Sequence, residues 1–350
     1  MMKRHVPGLP PHRPCLRRSG GTLMKFGTIN LDGKSRPVVA GSDGAPRLLS
    51  DVCEQAGIAA PATILELVEN ATAESGSRDA IAANADRTAA VTSTIDWQPP
   101  VTRPSKIIGV AFNNRELVKK AHIDPGVPNF FLKPPSALTG QGHPICVDPA
   151  WGAVIPEPEV CAVIGKRAKN VSEEDALSCI FGYSIMNDVT SHGLKFGKDS
   201  IAITYDPDMA RPEFYKWRHL HGDDDRDAYY VYHTRSKGTD TFGPMGPWLI
   251  TRDEIADPNN LKVVADIDGE VFAEDHTSNY RFSIQACVAE ASRYFTLEPG
   301  DVITFGTTGK GKGRFPRGHK NILIGEMSGT IGIEVEGIGR LENPIVHIGQ

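Results

Sequence analysis

The chain has 350 residues, a formal net charge of −5, 40% hydrophobic and 23% charged residues, the make-up of an ordinary globular protein with length for one large domain or two smaller ones. The negative balance argues against a general nucleic-acid binder, and no apolar run reaches the ~20 residues of a membrane helix, so a soluble protein is expected. The cysteines (Cys15, Cys53, Cys146, Cys161, Cys179, Cys287) lie far apart with no C-x-x-C pair. That spacing points to reduced, buried thiols in the cytoplasm rather than a disulfide framework or a zinc site.

Residues 1–23 are basic and Pro-rich with no acidic residue, and lack the apolar core of a secretory signal. They are expected to be a disordered extension, with Met24 opening the folded chain. From Lys25 to about Ser50 short β-prone runs are joined by an Asp32–Gly33 turn. Ala62 to Ala71 has the spacing of a short amphipathic helix, and the stretch after it carries little signal. The prolines of "DWQPPVTRP" mark a linker, so residues 24–98 are expected to form a small N-terminal α/β domain.

From Lys106 onward strand signals dominate: "KIIGVAF", "FFLK", "VCAVIG", "LITRDEI", "LKVVADIDGEVF", "DVITF" and "GTIGIEVEGIGRLENPIVHI". Helices interrupt them at "VSEEDALSCI", where Ser172 and Asp175 form a capping signature, and at Ser283 to Phe295. Many strands and few helices predict a β-rich α+β fold, not alternating βαβ units. The polar, acidic and then aromatic stretch from Asp199 to Tyr232 is expected to be a surface insertion or lid.

Gly306 to Lys312 spells G-x-x-x-x-G-K behind a predicted strand. A phosphate-binding loop needs Ser or Thr next and then a helix, but Gly313 stands in that slot and Pro316 and Gly318 break any helix. A nucleotide site is therefore not expected. Glu157 and Glu159 in "IPEPEVCAVIGK" are two residues apart, so on a strand both carboxylates face one way. They can share a hard divalent cation, or they can lie on a solvated strand edge, as Pro158 would suit. Asp188, at the end of an apolar stretch, can be a third carboxylate or simply a turn residue.

Five segments, "PEPEVCAVIGK", "GYSIMNDVT", "SKGTDTFGPMGPWLIT", "LEPGDVITFGTTGKG" and "IEVEGIGRLENPIV", together with "FFLKPPSAL", make the chain from Lys106 to Val346 resemble the fumarylacetoacetate hydrolase family. The resemblance implies a mixed β-roll catalytic domain over residues 104–350, a homodimer, and Mg²⁺ (or Mn²⁺ or Ca²⁺) held by Glu157, Glu159 and Asp188. It implies that Thr307 and Gly306 line the substrate site, in a glycine-rich loop whose backbone N–H groups approach an anion while Lys310 and Lys312 add positive field. Lys237 matches the family's site lysine, which would stabilise an enolate, and Lys133 is a plausible partner behind it.

The lid pattern N-Y-x-x-H-x-x-E is replaced by "NNRELVKK", with Leu117 at the His position and Lys120 at the Glu position. His192 and Lys195 stand where the family often has Arg and Gln, and both can reach a substrate carboxylate. The remaining candidates for general base are His192, His122 and Glu116. The resemblance implies a small-molecule oxo-acid substrate and no nucleic-acid or membrane partner. The leading reading is a metal-dependent hydrolase cleaving a C–C bond in a 2,4-dioxo acid or acylpyruvate. The alternative is a lyase or isomerase of the same family (decarboxylase, dehydratase or tautomerase) acting through a metal-bound enolate, which the missing dyad favours.

Overall fold

The computed structural model describes residues 24–70, 76–119, 121, 124–204 and 227–349. The expected extension 1–23, His122, and residues 205–226 of the expected insertion lie outside them. Among the described residues no helix is long and apolar enough to cross a membrane.

A ten-stranded sheet carries the site. In spatial order it runs Pro46–Leu48, Lys34–Ala40, Lys25–Leu31, Leu249–Thr251, Ile180–Asn187, Pro158–Ile164, Val302–Thr304, Ile107–Ala111 and Asn129–Lys133, with Asp96–Gln98 also paired to Lys25–Leu31. Neighbours are antiparallel except Val302–Thr304 beside Ile107–Ala111, which is parallel. A second sheet orders Glu270–His276, Lys262–Ile267, Thr330–Val335, Gly339–His347 and Ile145–Val147. The hairpin turns at Asp32–Gly33 and Asp268–Gly269 have positive φ at both residues (53° and 74°, 50° and 82°), the geometry that favours an Asp-Gly pair. The outcome is the β-rich α+β fold expected, with a β/α region ahead of the main domain.

The central strand Pro158–Ile164 is buried along its whole length, and its side chains divide by parity. Val160, Ala162 and Ile164 join the larger core, shared with second-sheet residues such as Val263, Ile333 and Leu341 and with helix Ile284–Tyr294. Cys161 and Val163 face the other way, into a cluster with Leu49, Val52, Ile64, Leu67 and Ile81 of the N-terminal helices. The 24–98 segment thus adds strands to the same sheet through the Lys25–Leu31 to Leu249–Thr251 pairing and covers one of its faces.

Ser172 caps Glu173–Ala176 by accepting from Asp175 N–H, as its sequence signature predicts, and Ser283 caps Ile284–Tyr294 by accepting from Ala286 N–H. The predicted Ala62–Ala71 helix is found at Ile64–Asn70. Two helices differ from expectation. Leu49–Ala56 begins at the end of a run read as β-prone and continues through residues given no assignment, ending on Gly57 in the left-handed region, and Ser77–Ala85 forms where no signal stood out. Both bury apolar residues against the sheet, and that packing outweighs weak local propensity.

Candidate metal centre and active-site cleft

Glu157, Glu159 and Asp188 meet because two antiparallel strands end in register. Pro158 pairs with Asn187 and Glu159 with Met186, which places Glu157 opposite Asp188. Glu157 N–H donates to Asn187 Oδ1 (2.9 Å) and Asp188 N–H donates to the Glu157 carbonyl (2.9 Å), locking the two strand ends. One carboxylate oxygen from each of the three residues lies within 4.8 Å of the others. Glu159 and Asp188 are buried, while 16% of the Glu157 side chain is exposed, to the cleft.

The carboxylates are held by specific donors. Glu159 Oε2 accepts from Gly306 N–H (2.8 Å) and from Thr304 Oγ1. Glu157 Oε2 accepts from Thr190 Oγ1 (2.8 Å) and Lys237 Nζ (2.5 Å), and Lys237 Nζ also donates to Asp188 Oδ2. Lys133 Nζ pairs with Asp188 Oδ1 at 2.7 Å and donates to the Lys237 carbonyl. Lys237 Nζ sits 4.5 Å from the Phe131 ring centroid, a cation–π contact. Gly109 makes room for that ring, since a Cβ there would lie 2.0 Å from Phe131 Cζ.

Electrostatics follow from this crowding. Burial alone would raise Glu157, but the Lys237 ammonium overrides it and holds the carboxyl at about 2. Glu159 is pushed up to about 8 by burial and then by the Asp188 carboxylate. Burial would lower Lys237, yet Asp188 and Glu157 raise it above its ordinary value, while burial pulls Lys133 down despite Asp188. Three clustered carboxyl groups, one kept protonated near neutrality, are the donor set that a hard divalent ion takes.

Metal binding requires the ionised form, so uptake near neutral pH should release a proton from Glu159. Affinity should climb toward pH of about 8 and level off above it. Calorimetry in two buffers of different ionisation enthalpy checks this, and absence of any released proton contradicts it. In the metal-free protein the same carboxyl favours folding below its ordinary 4.5 and loses that contribution as pH rises through about 8.

The carboxylates open into a cleft of about 740 Å³ that includes its open mouth. Phe131, His192, Lys195, His233, Lys237 and Thr307 are among the groups lining it, and none of the lining residues comes from 24–98. Burial lowers His192 and Lys195 from their ordinary values; His233 falls to about 4 through burial, then Lys195 and Lys237. Thr307 Oγ1 is buried and makes no hydrogen bond among the described residues.

Other expected site residues lie elsewhere. Gly306 does not line the cleft: its N–H is taken by Glu159, and its φ of +103° with Asn113 Cβ 2.9 Å from any added Cβ demands glycine. Gly309 N–H is likewise taken, by Asp275 Oδ2 (2.6 Å), and Lys312 pairs with Glu274, so the loop is braced by protein acceptors rather than left open for an anion. Lys133 is fully buried, paired with Asp188 and donating to the Lys237 carbonyl, the partner position expected of it, and it does not line the cleft. Glu116 pairs with Lys119 at 2.8 Å and does not line the cleft, whereas Leu117 does. His122 falls outside the described residues.

The sequence reading missed Thr190, Thr304, His233 and His319. The two threonines follow from register, since Thr304 pairs with Cys161 two residues beyond Glu159. The two histidines come from segments with no periodic signal.

Fold and site together define a metal-dependent enzyme acting on a small molecule. The family description "Fumarylacetoacetate (FAA) hydrolase C-terminal" matches residues 106–346, and the chain belongs to that family. An uncharacterized protein of Pyrococcus abyssi is 35% identical over 245 residues, 70% of this chain and 91% of that protein. The Rattus norvegicus protein named oxaloacetate tautomerase Fahd2a, mitochondrial, is 28% identical over 338 residues, 95% of this chain and 94% of its own. The X-ray structure of 5-carboxymethyl-2-hydroxymuconate delta-isomerase from Mycobacterium smegmatis is similar with a TM-score of 0.61 at 25% identity, covering 93% of this chain and 100% of that one.

Proposed function

We propose that the protein is a divalent-metal-dependent tautomerase or isomerase of small 2-oxo acids. One observation carries this reading: the cleft brings Lys237 to a carboxylate triad, the equipment for stabilising an enolate, but presents Leu117 where hydrolysis would want a water-activating base. The names of the rat and mycobacterial relatives, a tautomerase and an isomerase, support the same choice over C–C bond hydrolysis.

Glu157, Glu159 and Asp188 would hold the ion, with Mg²⁺ the proposed one, and it would supply a Lewis acid for the substrate's 2-oxo oxygen. Lys237 places a fixed positive charge in a water-poor wall, where it counts for more than in water. The unpartnered Thr307 hydroxyl and the Lys195 ammonium orient the substrate's carboxylate. His192 takes the proton from C3 and releases it to the solvent of the open cleft, from which the 2-oxo oxygen gains one; the reverse direction runs the same transfers backwards, so no water is consumed. Its half-buried imidazole, held below the ordinary 6.5 by desolvation, is neutral near pH 7 and ready to accept.

The test is incubation of Mg²⁺-loaded protein with oxaloacetate and with acylpyruvates, following enol absorbance and product masses. Accelerated keto–enol interconversion with no mass change is expected. Faster C–C cleavage of an acylpyruvate would overturn the reading in favour of the hydrolase. His192→Ala should lower kcat by at least about tenfold at saturating metal. Because burial lowers its pKa, activity should persist below the ordinary 6.5 and be lost only as pH falls through the depressed value. A wild-type rate in His192→Ala would remove it from the mechanism.

A further inference from the structure

Glu157 is held firmly at one oxygen and loosely at the other. Oε2 accepts from Lys237 and Thr190 at 2.5 and 2.8 Å. Oε1 faces His319 Nε2 at 4.0 Å, beyond hydrogen-bond reach. That nitrogen is buried, with 2% of the side chain exposed, and makes no hydrogen bond among the described residues. A buried polar nitrogen without a partner is costly, and one aimed at a candidate metal ligand calls for an explanation.

The backbone delivers His319 to this place deliberately. It lies in the Gly318–Asn321 turn, where the chain returns from the glycine-rich excursion that begins at Phe305. Gly318 enters the turn at φ +58°. Ile322 N–H donates to the His319 carbonyl (3.1 Å) and Ile324 N–H to the Val154 carbonyl (2.8 Å), which ties the turn to the Val154–Ile155 strand two residues before Glu157. A neutral imidazole carries one N–H, and the acceptor that Nε2 faces is Glu157 Oε1.

An ion among the carboxylates would compete with Lys237 for Glu157 Oε2 and Asp188 Oδ2, loosening the hold that Glu157 has now. We propose that His319 is a positioning residue of the metal centre, whose Nε2–H closes the gap to Glu157 Oε1 and fixes the ligand's orientation. The inference rests on the metal-centre reading above. Partners of this kind are worth about 10–100-fold in metal affinity.

The experiment is calorimetric titration of the metal-free, full-length protein with Mn²⁺ alone. His319→Phe keeps the ring but has no N–H, and should weaken Mn²⁺ binding by about 10–100-fold. His319→Gln carries an amide N–H of similar reach and should restore most of the affinity, a rescue that a purely space-filling role would not produce. Wild-type affinity in His319→Phe, or a Gln variant as weak as the Phe one, overturns the assignment. Glu159→Gln in parallel separates the two claims. If it too binds Mn²⁺ normally, the metal centre itself is wrong and the role of His319 falls with it. If it loses the ion while His319→Phe keeps it, only the role of His319 fails.

Discussion

Glu159→Gln is expected to lose metal and activity together while remaining folded. The substitution keeps the side-chain shape and leaves an acceptor oxygen for Gly306 N–H, which now reaches Glu159 Oε2 at 2.8 Å. It removes only the charge that Glu159 can supply to an ion. In the metal-free protein that charge is a burden, because burial and the Asp188 carboxylate push the carboxyl up to about 8. The neutral amide should therefore cost little stability, and thermal unfolding without metal should match or exceed wild type. The metal loses one of three carboxylate ligands, so affinity should fall by more than the about 10–100-fold typical of outer partners. Titration with Mn²⁺ and assay at saturating Mg²⁺ check both halves. Full activity after removal of metal by a chelator would refute the metal centre from the other side.

Lys237→Met should separate metal binding from catalysis. Methionine retains an apolar stem over Phe131 and removes the ammonium that pairs with Glu157 and Asp188. Without metal, breaking one partner out of such a buried network costs about 3–5 kcal/mol. A divalent ion supplies the missing positive charge, so Mn²⁺ should raise the unfolding temperature more in the variant than in wild type. Affinity for the ion should hold or improve, since Lys237 no longer competes for the same oxygens. Catalysis should not recover: losing a preorganised charge beside the developing oxyanion costs about 10²–10³ in kcat. A variant with near-wild-type kcat at saturating metal would show that Lys237 is only a counter-ion.

The Glu157–Glu159 pair was legible because its geometry is local: the two share a face by strand period alone. Asp188 needed the family resemblance, and the strand register then places it opposite Glu157. The Asp32–Gly33 hairpin and the Ser172 cap were readable for the same reason, each being set within a few residues. Lys237 needed the family resemblance, as nothing in "SKGTD" by itself distinguishes it from a surface lysine.

What remained hidden depends on contacts between segments far apart in the chain. Helix Leu49–Ala56 exists because its apolar face packs on the sheet, which a window of eight residues cannot reveal. The 24–98 segment looked separate by its prolines, yet its first strand hydrogen-bonds to Leu249–Thr251, more than two hundred residues away. Gly306 was read as facing a substrate, but whether a backbone N–H meets a ligand or Glu159 is decided by the neighbouring strand. His319 reaches the centre only through burial against Glu157, distant in sequence. Composition and periodicity thus determined the β-rich class and which carboxylates share a face. Tertiary packing alone decided which cations and hydrogen-bond donors meet those carboxylates, because burial turns contacts that water would screen into strong, specific interactions.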